Sequence, residues 1–451
     1  DAPARAELLH IKYFSGQQSC NSCDTKYVKF PNPKSGKMTG KAFIFQEEAK
    51  LRTDESVRKD AAKGAKLNEG RNPAKPLAYN GFKGKSVLRF LPLIDLSKAV
   101  VAEGMHAYFG GCIRQFLEEI ATSTDEPYSL TKDQRDKIDD FIKTIRVPSF
   151  IHRPPRSLSE VGNFKMAQFL FWALFFLIPI LSDFLPKEYF EHLILFSKSM
   201  FLLLKKDSEN RDEEIKLAEE MLVTFVKDTE KLYGLKFMTY NMHQLLHAPQ
   251  VVRHFGYLVQ TWAFPFESFN SVIAKSVHGT KHHAAEISNR LKYIAKMTPL
   301  RCKFQVDDGR EEVISLESDI SSHKFTENEK KSLLLNHLNL KDIIVYKKLI
   351  IRGVKFTSLL YQEVKNNDFT VELKTKNLHF FGEIKYFLNS GNKWYMVISL
   401  LKVLDSKSFK TGKYVLDHIK PVVKLHADYV LSLKDTITLQ HVIPIGPNYI
   451  G

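Results

Sequence analysis

Cysteine is scarce in this sequence, with four residues among 451. So few thiols exclude a disulfide-stapled scaffold and favour a reducing compartment. Long apolar runs are missing as well: the longest, residues 169–181, has about 13 uncharged residues, whereas a membrane-spanning helix needs roughly 20. The sequence shows neither a signal-peptide pattern nor an internal repeat. We therefore expect a globular protein of two or three domains that is neither secreted nor membrane-bound.

Acidic residues are outnumbered by basic ones, 51 against 66, which gives a formal net charge of +15. The excess is concentrated in two stretches: residues 21–100 hold 17 basic and 8 acidic side chains, and residues 271–310 hold 8 and 3. The segment between them is slightly acidic. A polyanionic partner would contact the two flanks and avoid the middle. A basic surface that only keeps the protein soluble explains the charge equally well.

The N-terminal part predicts one short helix followed by a long irregular segment. Asp1 is typical of a helix cap, and Ala4, Leu8 and Leu9 would form the inner face of the helix. Residues 26–90 are rich in lysine, glycine and proline and show little sustained apolar periodicity. We expect loops there, with short strands or turns. A loop of that length is commonly functional or disordered.

The remaining chain divides into a helical middle and a β-rich end. Residues 97–120 and 164–236 show helical spacing of apolar side chains, and two runs within the second stretch are apolar on almost every face. Such helices normally lie in the middle of a bundle. Past residue 330, short apolar runs separated by glycine-containing turns predict a separate β-rich module. Strands are expected at residues 349–351, 394–401 and 414–416.

Two pairs of metal-binding residue types stand far apart in the sequence. Cys20 and Cys23 place two thiols on a tight turn, where both could reach one ion at about 2.3 Å. His243 and His247 lie four residues apart, which puts both imidazoles on one face of a helix that would stop near Pro249. Together the pairs make a Cys₂His₂ set suited to tetrahedral zinc. Each pair also has a simpler explanation, namely a chance or redox thiol pair and two ordinary helix histidines.

Several short motifs follow one another in a fixed order. They are Asp1-Ala2-Pro3-Ala4-Arg5-Ala6, Gly16, Cys20-x₂-Cys23, Glu103-Gly104-Met105-His106, Gly110-Gly111, Arg153-Pro154-Pro155-Arg156-Ser157, Tyr233-Gly234, Met238-Thr239-Tyr240-Asn241-Met242-His243 and Phe264-Pro265-Phe266-Glu267-Ser268-Phe269-Asn270. Over roughly residues 1–300 this series resembles the CACTA/Mirage/Chapaev group of DDE transposases, and it is more specific than any one motif. In that group a CxxC follows the second catalytic aspartate, and a histidine pair precedes the final glutamate.

The resemblance implies a mixed α+β fold in which a large all-α insertion interrupts an incomplete RNase H-like catalytic core. A small β-rich C-terminal module would follow. Asp1 would be the second catalytic carboxylate and Glu267 the third, both binding magnesium, and the first would come from a strand upstream of this truncated chain. The expected domains are residues 1–96, part of the core with the CxxC turn and basic loop; 97–240, the helical insertion; 241–310, the return to the core with HxxxH, the catalytic glutamate and a basic helix; and 330–451, the β-rich module.

The implied function is a nuclear enzyme that cleaves and joins transposon DNA ends by two-metal phosphoryl transfer. It could form homo-oligomers, and this chain would be inactive alone because the first aspartate is missing. The zinc would be structural and would pin the two ends of the insertion. One alternative is a domesticated or decayed transposase-derived module that binds DNA or protein without cleavage. Another is a stand-alone zinc-stabilised helical module, with Asp1 a helix cap and Glu267 a solvated acid.

Basic side chains in both flanks would contact DNA phosphates, which gives affinity without base reading. One set is Lys26, Lys29, Lys34, Lys37 and Lys41, and the other is Lys275, Lys281, Arg290, Lys292 and Lys296. A plain solvated surface is the simpler interpretation of either set. His106 belongs to a matched motif, although a core histidine is its simplest interpretation.

Overall fold

The computed structural model describes residues 2–32, 35–72, 74–206, 208–279, 282–304, 313–315, 323–335, 338, 343–361, 366–376, 378–391, 393–404, 409–416, 418–433, 436–445 and 449–450. The α-helices are α1 Ala2–Leu8, α2 Asp54–Leu67, α3 Arg114–Thr122, α4 Lys132–Thr144, α5 Met166–Phe171, α6 Leu177–Leu181, α7 Lys187–Leu204, α8 Arg211–Tyr233, α9 Tyr240–Gln244, α10 Ala248–Phe255, α11 Phe264–Ala274, α12 His283–Phe304 and α13 Glu327–Leu335. Two π-helices cover Met105–Ile113 and Trp172–Phe176, and short 3₁₀ helices cover Val87–Phe90, Leu158–Asn163, Leu235–Phe237, Leu245–His247 and Leu258–Thr261.

The strands lie mostly in the C-terminal part of the chain. They are β1 Val28–Phe30, β2 Gly40–Ala42, β3 Val313–Ser315, β4 Ile344–Tyr346, β5 Lys348–Ile351, β6 Val354–Thr357, β7 Thr370–Thr375, β8 His379–Ser390, β9 Lys393–Val403, β10 Phe409–Thr411, β11 Tyr414–Leu416, β12 Lys420–Ser432, β13 Thr436–His441, β14 Pro444–Ile445 and β15 Tyr449–Ile450. The mixed α+β class, the helical middle and the β-rich C-terminal region are confirmed. The RNase H-like core stays a prediction.

The chain forms two compact units. The first comprises Asp1–Lys143, Pro155–Ala263 and Phe409–His418, and the second comprises Thr144–Pro154, Phe264–Ser408 and Ile419–Gly451. Both metal-ligand pairs therefore belong to the first unit, whereas Glu267 belongs to the second.

The core of the first unit is the predicted apolar helical middle. Phe169, Trp172 and Phe176 are fully buried, and α7 packs along α8. Burial of such large side chains contributes roughly 1.5–3 kcal/mol each, which explains why helices with so few polar faces lie inside. The helix expected from residue 97 begins only at Met105. Within the described part of the chain, no helix combines the length and apolarity needed to cross a bilayer.

Two details of the N-terminal part differ from the prediction. Of the expected inner face of the first helix, Leu9 is buried but Ala4 and Leu8 are exposed. Arg5 and Ala6 are buried in α1 instead, so the inner face carries a guanidinium. The segment 26–90 contains the 14-residue helix α2, which the sequence pattern did not predict. Its start is fixed by Thr53, whose hydroxyl accepts the Ser56 N–H.

The second unit is built on antiparallel sheets. The largest has strand order β13-β7-β8-β9-β12-β15-β14, with β4 paired to β8, and a smaller one has the order β3-β5-β6. The expected strands at 349–351 and 394–401 are confirmed as parts of β5 and β9. Gly391, with φ of +58°, makes the turn between β8 and β9, a backbone conformation that glycine adopts at little cost.

The β10–β11 hairpin, which contains the third expected strand, belongs to the first unit and packs on α7. The ring centroids of Phe409 and Phe190 lie 5.7 Å apart. Just past the hairpin, the His418 ring stacks on Phe201 at 4.0 Å, and its Nε2 lies 2.9 Å from the Leu174 carbonyl oxygen. The predicted module 330–451 thus contributes one hairpin to the helical unit.

Candidate metal centre

The two thiols lie on a turn between α1 and β1 that is held from behind by a buried arginine. Nε of Arg52 donates hydrogen bonds of 3.0 Å to the carbonyl oxygens of both Cys20 and Cys23. Its remaining nitrogens bond the carbonyl oxygens of Gln18 and Asn80 and the carboxylate of Asp60. A guanidinium offers five donors in a rigid fork. One side chain therefore fixes the backbone of the whole turn.

The two histidines lie where a helix changes its winding. Thr239 caps α9, which ends at Gln244, and the chain tightens into a 3₁₀ turn before α10 begins. The helix that carries His243 ends before Pro249, and this proline lies in the first turn of α10, where a missing N–H costs nothing. The tighter winding brings the His243 and His247 rings to a centroid distance of 5.0 Å.

All four candidate ligands lie together and are buried, with their donor atoms within 4.8 Å of one another. Cys20 Sγ lies 3.4 Å from His247 Nε2, Cys23 Sγ lies 3.3 Å from His243 Nε2, and the two Nε2 atoms are 3.3 Å apart. Ideal Zn–S and Zn–N bonds at tetrahedral angles require S–N separations of roughly 3.5 Å and an N–N separation of roughly 3.3 Å. These three separations are close to the edges of a zinc tetrahedron, and the residues could bind a metal such as zinc.

Burial and the contact between the two thiols leave Cys20 and Cys23 with pKa values shifted in opposite directions. Burial opposes ionisation of Cys20, but a hydrogen bond from Cys23 and the charges of His247 and His243 outweigh it and lower the Cys20 pKa. The hydrogen bond to Cys20, burial and the Cys20 charge raise the Cys23 pKa. Without a metal, one thiolate is favoured and the second is penalised. A divalent ion removes that penalty because both sulfurs bind it as thiolates.

Groups around the ligands complete the site. Nε2 of Gln244 donates to Cys20 Sγ at 3.4 Å, and its Oε1 accepts a hydrogen bond from Arg5. The Phe43 ring packs against His243 at 6.0 Å. Such outer contacts orient metal ligands. Arg5, Arg52 and Gln244 were not predicted from the sequence. Only Gln244, between the two histidines, carried a local signal.

The predicted magnesium ligands are not brought together by the described residues. Asp1 lies outside them. Glu267 is exposed on α11, and within the described ranges it belongs to no cluster of acidic or histidine side chains close enough to share an ion. The carboxylate pair therefore stays a prediction.

The predicted DNA-contacting lysines are exposed wherever the structure describes them. Lys29 and Lys41 lie opposite each other on the β1–β2 hairpin and therefore share one face, and Lys26 and Lys37 flank them. Lys34 lies outside the described residues. In the second unit Lys275, Arg290, Lys292 and Lys296 are exposed on or beside α11 and α12, and Lys281 lies outside the described residues.

Comparison of the chain with protein-family models, with curated proteins and with solved structures finds no match.

Proposed function

We propose that this protein is a DDE-type transposase, or a fragment of one, whose helical insertion is closed by a structural zinc ion. The observation that supports the proposal is the four-residue cluster. The motif series implied that a thiol pair after the second aspartate and a histidine pair before the final glutamate bind one ion. In the structure these pairs, 220 residues apart between Cys23 and His243, lie in contact.

The zinc holds structure and takes no part in the reaction. Four protein ligands fill a tetrahedral site, so no position is left for water or substrate. Cys20 is fully buried and Cys23 nearly so, which excludes solvent from the ion. The ion joins the turn that follows α1 to the segment that precedes α10, and it thereby fixes the two ends of the insertion against each other.

The catalytic part of the proposal concerns Asp1 and Glu267. Their carboxylate oxygens would hold magnesium, which prefers hard oxygen ligands. When bound, two such ions supply activation of the attacking oxygen and stabilisation of the leaving oxygen at a phosphodiester.

Iron-directed cleavage tests whether these two carboxylates share a metal. Fe²⁺ replaces Mg²⁺, and ascorbate with peroxide then generates radicals that cut the backbone beside the bound ion. The proposal predicts a backbone cut near residue 267 that disappears in the variant Asp1→Asn. The cut should persist in the control variant Glu48→Gln, which replaces an exposed acid of the first unit. A cut near 267 that is unchanged in Asp1→Asn, or no cut there at all, contradicts the shared site.

DNA is the proposed partner, and a nicking assay separates the enzyme from the decayed or domesticated alternative. The exposed lysines of the β1–β2 hairpin and the basic residues around α12 would contact phosphates. The chain is expected to bind DNA, and nicking with Mg²⁺ is expected only in a protein that also supplies the third carboxylate of a DDE site. A longer protein that includes this carboxylate should nick DNA. Binding without nicking in that longer protein would favour the alternative.

A further inference from the structure

A cleft of about 480 Å³ opens beside the metal centre in the first unit. Ala2 and Arg5 of α1, the start of the first π-helix with Glu103 and His106, and the start of α9 with Asn241 line it. Ala2 is the residue after Asp1. The cleft is therefore lined by the residue that follows the proposed catalytic carboxylate in the sequence.

His106 is a wall of this cleft and not the core histidine that the sequence suggested, because 39% of its side chain is exposed. Its Nδ1 contacts Oε1 of Glu103. A carboxylate on Nδ1 fixes the orientation of the ring. His106 is therefore a half-exposed side chain whose ring is held in one orientation at the wall of the cleft.

Both carboxylate oxygens of Glu103 already accept hydrogen bonds from neighbouring donors. Its Oε1 accepts the His106 N–H at 2.8 Å together with Nδ1 of the ring, and its Oε2 accepts the Met105 N–H at 2.8 Å and the Ala263 N–H at 3.4 Å. Four donors use the four acceptor positions of a carboxylate. An anion in the cleft would consequently meet the histidine rather than an unshielded carboxylate.

Arg5 is the second, independent sign of an anion site. It is 93% buried, because only 7% of the residue is exposed. Its Nη1 bonds the neutral oxygens of Asn21 and Gln244, and no carboxylate among the described residues pairs with it. Its buried Nε has no hydrogen-bond partner in the part of the chain that the structure describes. A buried guanidinium without a counter-charge is costly and is stabilised by an anionic ligand.

Packing keeps the floor of the cleft in place. A Cβ atom at Gly111 would lie 2.3 Å from Asn241 Nδ2, so only glycine lets the π-helix approach α9 this closely. This contact explains the glycine at position 111 in the matched motif. π-helical segments of this kind are frequent at functional sites.

We propose that this cleft binds a phosphodiester group of nucleic acid, with His106 and Arg5 as its contacts and Glu103 as the residue that positions His106. The inference deepens the proposed function, on which it rests. Its chemistry is the recognition of a phosphate oxyanion by charge-assisted hydrogen bonds.

Histidine NMR and equilibrium dialysis test the site in the full, zinc-loaded chain. With ¹³Cε1-labelled histidine, inorganic phosphate and a thymidine dinucleotide should each shift the His106 resonance in a saturable way and leave that of exposed His254 in place. In dialysis, His106→Gln should weaken dinucleotide binding by about tenfold or more, because a hydrogen bond to a charged group is lost. The matched variant His254→Gln should bind like wild type.

The outcomes separate this inference from the proposed function. The dinucleotide should bind at least as tightly as inorganic phosphate. Binding of inorganic phosphate without binding of the dinucleotide would overturn the assignment. A His106 resonance that neither ligand shifts would overturn it as well. Equal affinities in His106→Gln and wild type would also overturn it. Dinucleotide binding at His106 without iron-directed cleavage near residue 267 would retain the phosphodiester site and remove the shared magnesium site.

Discussion

Replacement of Cys20 by serine tests how much the cluster stabilises the first unit. Serine keeps the size of the side chain but is a poor zinc ligand, so the link between the turn after α1 and the segment before α10 is broken. That link closes a loop of 220 residues between Cys23 and His243. The chain-entropy relation for a cross-link of this length gives about 5 kcal/mol. Because a whole domain is stable by only about 5–15 kcal/mol, the loss is a large fraction of the total.

Calorimetry with and without zinc measures the effect. For a unit of this size, a loss of about 5 kcal/mol corresponds to a melting temperature lower by about 10–20 °C. A strong chelator should lower the melting temperature of the wild type by a similar amount and should leave Cys20→Ser unchanged. The matched control is Cys112→Ser, a buried thiol on the π-helix outside the cluster. That variant should respond to chelator as the wild type does. A zinc-free wild type that melts at the zinc-loaded temperature would refute the reasoning.

Three further outcomes follow from individual contacts. Arg52→Met removes the donors to the Cys20 and Cys23 carbonyls and should lower the free energy of unfolding by about 3 kcal/mol or more, measured by urea denaturation; an unchanged midpoint would contradict its role in the turn. Burial lowers the pKa of His192 to about 4, although its bond to the Phe225 carbonyl opposes the shift. Since the unfolded histidine titrates near 6.5, the unfolded state binds more protons than the folded state between pH 4 and 6.5. Acidification from pH 6.5 to 4 should therefore lower the free energy of unfolding of the wild type by about 3 kcal/mol. The variant His192→Gln should not show this loss. Equal pH dependence of the melting temperature in the two proteins would exclude this assignment. For DNA, Lys29→Gln should reduce the slope of log Kd against log salt by about one, whereas Lys187→Gln on α7 should not; equal slopes would remove the hairpin from the interface.

The ligands of the metal centre could be predicted because each pair has local spacing with chemical meaning. Cys20 and Cys23 are close in sequence, as are His243 and His247, and the order of motifs indicated that the pairs belong together. Arg52 could not be predicted, because its partners are backbone carbonyls that no sequence pattern displays. Similarly, Arg5 lies on the α1 face where an apolar side chain was expected, and its acceptors come from distant segments.

The fold was predictable where apolar periodicity is strong and not where turn chemistry decides. The apolar runs of the helical middle and the strands β5 and β9 follow from pattern alone. Helix α2 was missed because charged residues and alanine make up most of its sequence, and its buried side consists only of Val57, Ala61 and Gly64. Gly64 is needed because a Cβ there would lie 2.3 Å from the Phe82 carbonyl oxygen. The β10–β11 hairpin belongs to the first unit because it packs on α7, and sequence spacing does not reveal this contact.

The central claim is that Cys20, Cys23, His243 and His247 hold one zinc ion. X-ray absorption at the zinc edge of the purified full chain tests it directly. The expected result is one zinc per chain, with two sulfurs at about 2.3 Å and two nitrogens at about 2.0 Å, and a shell that loses one sulfur in Cys20→Ser. Absence of zinc from the purified protein, or a shell of oxygen and nitrogen without sulfur, would contradict it.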